Sequence, residues 1–533
     1  LANSGTVGIA GTFAPGTNTF TITGNTIDFN GSGAQTVPAF NYNNLTISGV
    51  RAANNVTLAN SGTIGIAGTL TGTATFNSGS GFITAGSTVE YNGTGSQSVT
   101  VLSPLAAGNT YNNLTISNTA SPVSASTSFS VGGTFTQNLN VIFSPTAAVV
   151  ISGGGTLTGS GTVQVTRATG SADFANQYAI TNKTLTNLTV EFAGAAAQGT
   201  GAVTFGGLKI NNSSGVTLSG NATVNGTLTL SSGNITTGSS RVIVSSTGTV
   251  SRTSGYVFGN LQKYAATGAT AMTFEVGDAS NYTPVNVSFA SVTNAGDLTV
   301  STTSGDHPNL TNSTIIPSRS VNRYWTLTNS GIVFTTYSAT FNFVSGDVDA
   351  GADTNALVVG NFVPAVWTYP AVGTRTSTST QATGLSAFGD FQLGEGGAPS
   401  VGLQKDVTPL GDQEPGIELT YTVTFTNTGT IPARSLVITD PNPTDTDLSR
   451  RVFVNLDYKL GSASISSPWS ATIEFSNDSG ATWNYSPVSG GGNATLGYAP
   501  AGYDRAVTNI RWSVSGNVAV SGTGSVSFIS RIR

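Results

Sequence analysis

The sequence predicts an all-β protein, an N-terminal β-solenoid (β-helix) followed by two β-sandwich domains. Three observations carry this: internal repetition, apolar residues alternating at period 2 between glycine-marked turns, and charge that is sparse and graded along the chain. Of 533 residues only 8% are charged, against about 25% in an average globular domain. The missing charge is replaced by Ser, Thr, Asn and 67 Gly, while hydrophobic residues hold at 38%. Disorder requires low hydrophobicity with high net charge, and the net charge here is −5. Val, Ile, Leu, Phe and Tyr are spread evenly at short spacing, which is the pattern of folded strands.

Residues 1–250 form the repeat region. Leu1 to Thr12 recurs from Leu58 to Thr69 with one change, Ile64 standing where Val7 does. Ile27 to Val37 recurs in kind at Val89 to Val99, and Tyr42-Asn43-Asn44-Leu45-Thr46-Ile47-Ser48 recurs at Tyr111 to Ser117. The offsets grow from 57 to 62 to 69 residues, so insertions fall between the matching elements and not within them. Ala222 to Thr236 shows the finer grain, where apolar residues alternate with Thr or Ser until Asn-Gly or Ser-Gly interrupts. Period-2 alternation marks half-buried strands, and those dipeptides mark tight turns. No sustained i, i+3, i+4 pattern predicts a long helix. Short strands in a loose repeat suit stacked coils sharing one core; an ordinary sandwich is the alternative for this region.

Charge divides the rest. Residues 1–250 hold 9 of 43 charged residues, 251–399 hold 14 and 400–533 hold 20. Near residue 250 the Thr/Gly rhythm gives way to aromatic-bearing strands such as Arg323-Tyr324-Trp325-Thr326-Leu327, which predict a β-sandwich over 251–398. Gly394-Glu395-Gly396-Gly397-Ala398-Pro399 reads as the linker to a last domain over 399–533. Sparse charge has a physical reason in stacked coils. Like residues sit about 4.8 Å apart on neighbouring strands, where like charges repel and Thr, Ser and Asn form hydrogen-bonded ladders.

Two resemblances follow from particular residues. Leu403-Gln404-Lys405-Asp406-Val407, then Pro415 to Gly429, Ala433 to Pro441 and Gly524-Ser525-Val526-Ser527-Phe528 resemble the immunoglobulin-like "conserved repeat domain" of bacterial and archaeal surface proteins. This covers the last 135 residues or so and implies an Ig-like sandwich in a secreted, non-enzymatic protein. Ser87 to Val99 and the Tyr-Asn-Asn-Leu-Thr-Ile elements resemble repeat regions of large secreted surface proteins in Bacteroidetes-like bacteria. No secretion-sorting domain is recognisable after the last sandwich. Related surface sandwiches cross-link a first-strand Lys to Asn or Asp beside a buried acid, which would make Lys405 the lysine and Glu418 or Glu474 the acid. The final strand offers no Asn, and an ordinary lysine on a strand edge is the alternative.

The composition excludes several function classes. With no Cys there is no thiolate nucleophile, disulfide or Cys zinc site. The one His, His307, lies in Gly305-Asp306-His307-Pro308, the context of a turn. The solenoid carries only Asp28, Glu90, Asp173 and Glu191, widely spread, with Arg51, Arg167, Lys183, Lys209 and Arg241. A β-helical lyase or hydrolase needs clustered carboxylates or basic residues, so the chain is expected not to be an enzyme and no organic cofactor is implied. Mixed weak charge argues against nucleic acid as a partner, and no stretch approaches the roughly 18 apolar residues of a membrane span. Asp347, Asp349 and Asp353 carry the oxygen spacing of a calcium loop, although the Gly sits one position early and no bidentate Glu follows; a solvated acidic loop is the alternative. Asp440, Asp445 and Asp447 form a second acidic loop. Asn-x-Ser/Thr sequons such as Asn44 and Asn187 are expected by chance in this composition, and the five Trp are expected in sandwich cores more than as sugar platforms.

The expectation for function rests on an edge. Native sheets blunt their edges with Lys, Pro or a cap, yet Leu1 begins inside a repeat and the chain has five Lys. Two readings stand side by side. The first coil pairs with another copy, giving a head-to-tail homopolymer in an extracellular filament or surface layer. Otherwise the chain is a processed piece of a longer adhesin or stalk that binds glycan or another cell.

Overall fold

The computed structural model describes residues 4–16, 20–120, 122–441 and 455–533. The protein is all-β, with a parallel β-solenoid of about 13 turns over residues 6–277 followed by antiparallel sheets consistent with sandwich domains. Among the described residues the one α-helix is the five-residue Asp173–Gln177. The chain packs as two compact units. One holds the solenoid through Gly305 with Val321–Asp347 and Val359–Gln392; the other holds Asp306–Ser320, Val348–Val358 and Leu393–Arg533.

The sequence repeats are rungs on successive coils. Thr6–Ile9 lies parallel to Thr26–Phe29, that strand to Asn44–Ile47, and that to Leu70–Gly72. The second sequence copy builds the same order in another sheet, with Thr63–Ile66 beside Thr88–Tyr91 beside Asn113–Ile116. Inward side chains stack in register, and Ile64, Val89, Leu114, Phe135 and Leu157 form one fully buried column. Burying each such side chain contributes about 1.5–3 kcal/mol. Coil length varies while register does not: 18 residues separate Thr189 from its neighbour Gly207, and 27 separate Thr162 from Thr189.

A recurring glutamine clamps the coils at one corner. Gln35, Gln97 and Gln198 are each buried. Their Nε2 groups donate to two carbonyls of the preceding coil: Ile9 and Gly11 for Gln35, Ile66 and Gly68 for Gln97, Val165 and Arg167 for Gln198, all at 2.6–2.8 Å. Each Oε1 accepts from the backbone N–H four residues earlier, of Gly31, Gly93 or Gly194. The same oxygen accepts from the following coil, from Arg51 Nη1 at 2.6 Å, Asn118 Nδ2 at 2.6 Å or Asn212 Nδ2 at 2.9 Å. One amide therefore joins three coils. The Gly has a steric reason as well, since a Cβ at Gly31 or Gly93 would stand 2.2 Å from a carbonyl oxygen of the coil before.

The acidic groups Asp28, Glu90 and Glu191 of the stack are each matched by neighbours. Glu191 lies in register between Gln164 and Lys209; it accepts from Gln164 at 3.0 Å and Asn211 at 2.9 Å and pairs with Lys209 at 3.0 Å. Asp28 accepts from Ser48 and Glu90 from Ser117 on the next coil. No rung places like charges side by side among these residues, as the repulsion argument requires.

Parallel stacking runs beyond residue 250, where the composition changes. Val257–Ala265 pairs parallel with Ile235–Val244, and Val276–Gly277 adds parallel to Val257 and Phe258. The other side of Val257–Ala265 pairs antiparallel with Gly296–Ser304, so one sheet continues from solenoid into antiparallel structure. A second antiparallel sheet is built from Gly268–Phe274, Val285–Asn294, Tyr337–Asn342, Ser379–Leu385 and Ala371–Thr376. Trp325 of the first sheet meets Phe341 of the second at 5.1 Å, and Phe341 meets Phe391 at 4.8 Å.

In the second unit, Val401–Thr408, Glu418–Asn427, Thr523–Ile532, Leu456–Lys459 and Tyr503–Asp504 form one antiparallel sheet. Val437–Asp440, Asn509–Val514 and Ala471–Ser476 form another. Phe425, Ile438, Trp512 and Phe528 are buried in their shared core.

Two glutamines test this account against each other. Gln198→Leu leaves Asn212 and the Gly194 N–H without their acceptor, and a loss of about 1–3 kcal/mol is expected. Gln137 is fully buried with no hydrogen-bond partner for either side-chain atom, so Gln137→Leu is expected to leave stability unchanged or raise it. Denaturant titration of both variants checks the opposite signs.

Candidate functional site

Two features of the solenoid stand out. The first is its outer rung. Thr6–Ile9 is the terminal strand of its sheet, with Thr26–Phe29 on one side and no strand on the other among the described residues. Its inward residues Val7 and Ile9 are half-buried, whereas Ile27 and Phe29 one rung further in are buried. Among the described residues this side of the rung has no strand partner, and Val7 and Ile9 leave apolar surface there. At the far side of the parallel stack Gly296–Ser304 occupies an edge of Val257–Ala265, while Thr249–Arg252 is the terminal strand of its own sheet among the described residues. The second is a lateral groove of about 600 Å³, floored by Phe174, Leu185 and Phe205 and rimmed by Thr184 and Thr204. Lys183, its one charged lining residue, donates to the Ile180 carbonyl at 2.7 Å, and burial lowers its pKa.

The predicted calcium loop has its carboxylates engaged by protein donors. Asp347 is buried and receives the Arg323 guanidinium at 2.9 and 3.1 Å. Asp349 accepts from the Ser320 N–H at 2.8 Å, and Asp353 accepts from the Asn355 N–H at 2.8 Å. Among the described residues no group of three or more His, Cys, Asp or Glu is arranged to hold a metal. Asp445 and Asp447 of the second acidic loop lie outside the described residues. His307 is a buried turn residue, its Nδ1 accepting from the Asn309 N–H at 3.1 Å.

Sequence reasoning missed the role of Arg323. It is fully buried and also pairs with Asp278 at 2.6 Å. Burial alone would raise the Asp278 pKa, but the N–H groups of Ser280 and Asn281 and the Arg323 guanidinium more than offset it, leaving the carboxyl below its ordinary 3.8. Arg323 in turn loses by burial and gains more from Asp347 and Asp278, so its pKa rises. Removing the cation strands two carboxylates inside the fold.

Lys405 is the other surprise. Its Nζ stands 2.6 Å from Asp440 Oδ1, not beside Glu418 or Glu474. Glu418 instead pairs with Lys459 and accepts from Tyr503, and Glu474 pairs with Arg511. Of the five tryptophans, Trp325 and Trp512 are fully buried, while Trp367, Trp469 and Trp483 are half-buried against Phe362, Phe425 and the Arg511 guanidinium.

No protein-family model, no curated protein and no solved structure matches this chain. The fold is therefore defined by its own geometry, as a parallel β-solenoid followed by antiparallel sheets.

Three outcomes are expected. Calcium added to the chain leaves its melting temperature unchanged, because Arg323 already neutralises Asp347; a calcium-dependent rise would contradict that assignment. Asp278 has a folded pKa below its unfolded one, so its contribution is complete above the ordinary carboxylate range and is lost as pH falls through the folded value. Stability measured against pH should decline on that acid limb, and Asp278→Asn should flatten it. Arg323→Leu should cost about 3–5 kcal/mol.

Proposed function

We propose that this chain is a non-enzymatic structural protein of the cell exterior, a subunit of an extracellular filament or surface layer in which copies join by β-strand addition. The observation that supports it is the in-register stack with the outer rung Thr6–Ile9. Each coil satisfies its neighbour through the same ladder, and among the described residues Thr6–Ile9 is a terminal strand with its apolar residues half-covered. A strand added there would hydrogen-bond to Thr6–Ile9 and cover Val7 and Ile9, the chemistry of strand addition at a sheet edge. The near-absence of charge on the rungs favours repeated stacking without repulsion. The non-enzymatic reading draws on the way the solenoid's ionisable groups are held by structural partners, such as Asp173, which accepts from three backbone N–H groups and Thr169 Oγ1. The exterior location draws on the resemblance of residues 403–528 to surface-protein sandwiches.

A second reading, an adhesin or stalk binding glycan, draws on the groove beside Lys183, whose threonine rim and lone cation suit a sugar. A glycan array with a Lys183→Ala control addresses it.

Assembly tests the first reading. Purified chain imaged by electron microscopy over a range of concentrations is expected to form polymers, and Val7→Lys with Ile9→Lys is expected to stop them at unchanged solenoid melting. Monomers at every concentration would falsify the filament. So would a chain lengthened by its own upstream residues that stays monomeric, since a preceding coil would then fill the edge.

A further inference from the structure

We infer that the groove beside Lys183 is a docking site for an extended peptide of a partner protein, which adds as a β-strand between two coils and sets a carboxylate side chain against the Lys183 amine. This goes beyond both readings of function and depends on neither. The groove is a break in the ladder. Thr189–Phe192 and Gly207–Asn211 pair directly as neighbouring rungs. The strands that lead into them, Asn182–Lys183 and Val203–Phe205, do not pair with each other among the described residues. The first pairs with Thr156–Gly159 and the second with Ala222–Val224, each on the side away from the gap. Residues of both strands line the groove. Asn182 and Thr184 donate their N–H groups to the Gly155 and Leu157 carbonyls of the coil before, at 3.1 and 2.8 Å. The Lys183 peptide between them is therefore turned the other way, into the gap. On the opposite wall the Phe205 carbonyl accepts from the Asn225 N–H at 3.0 Å, so the Thr204 peptide before it is turned back towards Lys183.

Lys183 is also out of place as a structural residue. It stands in register with Leu157, at the position that extends the apolar column of Ile64, Val89, Leu114, Phe135 and Leu157. The chain has five lysines, and the other four each hold a carboxylate at 2.6–3.0 Å: Lys209 with Glu191, Lys263 with Glu275, Lys405 with Asp440 and Lys459 with Glu418. Lys183 has the Ile180 carbonyl instead, at 2.7 Å, and burial lowers its pKa. A carboxylate brought beside the amine offsets that cost of burial. The floor is apolar, with the Phe174 and Phe205 rings 6.1 Å apart, and it calls for an apolar side chain. Alternate side chains of a strand share one face, so a peptide that meets both needs carries its acid and its apolar residue two positions apart. Its backbone then takes up the groove-facing peptide groups, the chemistry of strand addition. The volume of about 600 Å³ lies within the roughly 300–1,000 Å³ of ligand pockets. A neutral sugar supplies neither the carboxylate nor the ladder.

Calorimetric titration of the full chain with the peptide acetyl-Thr-Glu-Thr-Phe-Thr-amide decides the matter. Saturable binding is expected, and the same peptide with Gln for Glu should bind about tenfold more weakly. A peptide with Glu and Phe adjacent, and so on opposite faces, should lose affinity, as should one methylated on its backbone nitrogens. These controls lie in the ligand and leave the fold untouched. Lys183→Met should melt as the parent does and bind the Glu and Gln peptides equally. Absence of saturable binding overturns the inference, as does binding indifferent to the Glu-to-Gln exchange or to backbone methylation. So does a neutral oligosaccharide that binds in the groove where the peptide does not, or self-association of the parent chain that Lys183→Met abolishes, which makes a second copy the occupant.

Discussion

The peptide groups of a parallel rung find no partner inside their own coil, so each coil of this solenoid depends on its neighbours for every ladder hydrogen bond. Register is the constraint from which the rest follows. Once Ile64, Val89 and Leu114 are stacked, their outward neighbours are stacked too, and any charge placed there meets its counterpart one strand spacing away. The composition answers this with Thr, Asn and Ser. Where Glu191 breaks the pattern, Gln164 and Lys209 flank it.

The glutamine clamps fix what the ladders leave loose. A ladder holds two strands, and where the rung ends the Ile9, Ile66 and Val165 carbonyls already accept from the N–H of Asn30, Asn92 and Ala193 on the next coil. Gln35, Gln97 and Gln198 reach those carbonyls from the coil beyond. Arg51 shows how tolerant the third position of the clamp is. It fills the donor role that Asn118 and Asn212 fill in the other clamps, and it is buried with donors to Gln35 Oε1 and to the carbonyls of Phe29, Ser48 and Gly33. In the sequence it counted as one of a few scattered charges; in the fold it is an interior hydrogen-bond hub.

Strands, turns and coil stacking were legible because they are local. Alternation and Gly dipeptides define the rungs, and the three repeated elements proved to be neighbouring rungs. Other features depend on distant residues. The Gly-x-x-x-Gln spacing is visible at 31–35 and 93–97, but its meaning requires the two adjoining coils. The composition shift near 250 precedes the change of architecture, since aromatic residues such as Tyr256 are buried while pairing stays parallel to Gly277. The spacing of Asp347, Asp349 and Asp353 is visible in the sequence, but the Arg323 guanidinium that engages Asp347 from 24 residues upstream is not. The contact of Lys405 with Asp440 is not legible along the chain, because strand order across two sheets cannot be counted from sequence.

Val257–Ala265 has a mechanical consequence. It is a rung of the solenoid on one side and the first antiparallel strand on the other, so no flexible tether separates the two architectures. Tension applied across this strand is carried by two ladders of hydrogen bonds acting in series, and neither can be relieved by a hinge. The junction yields only when one of its ladders does, which makes this strand a stress-bearing seam in the first unit.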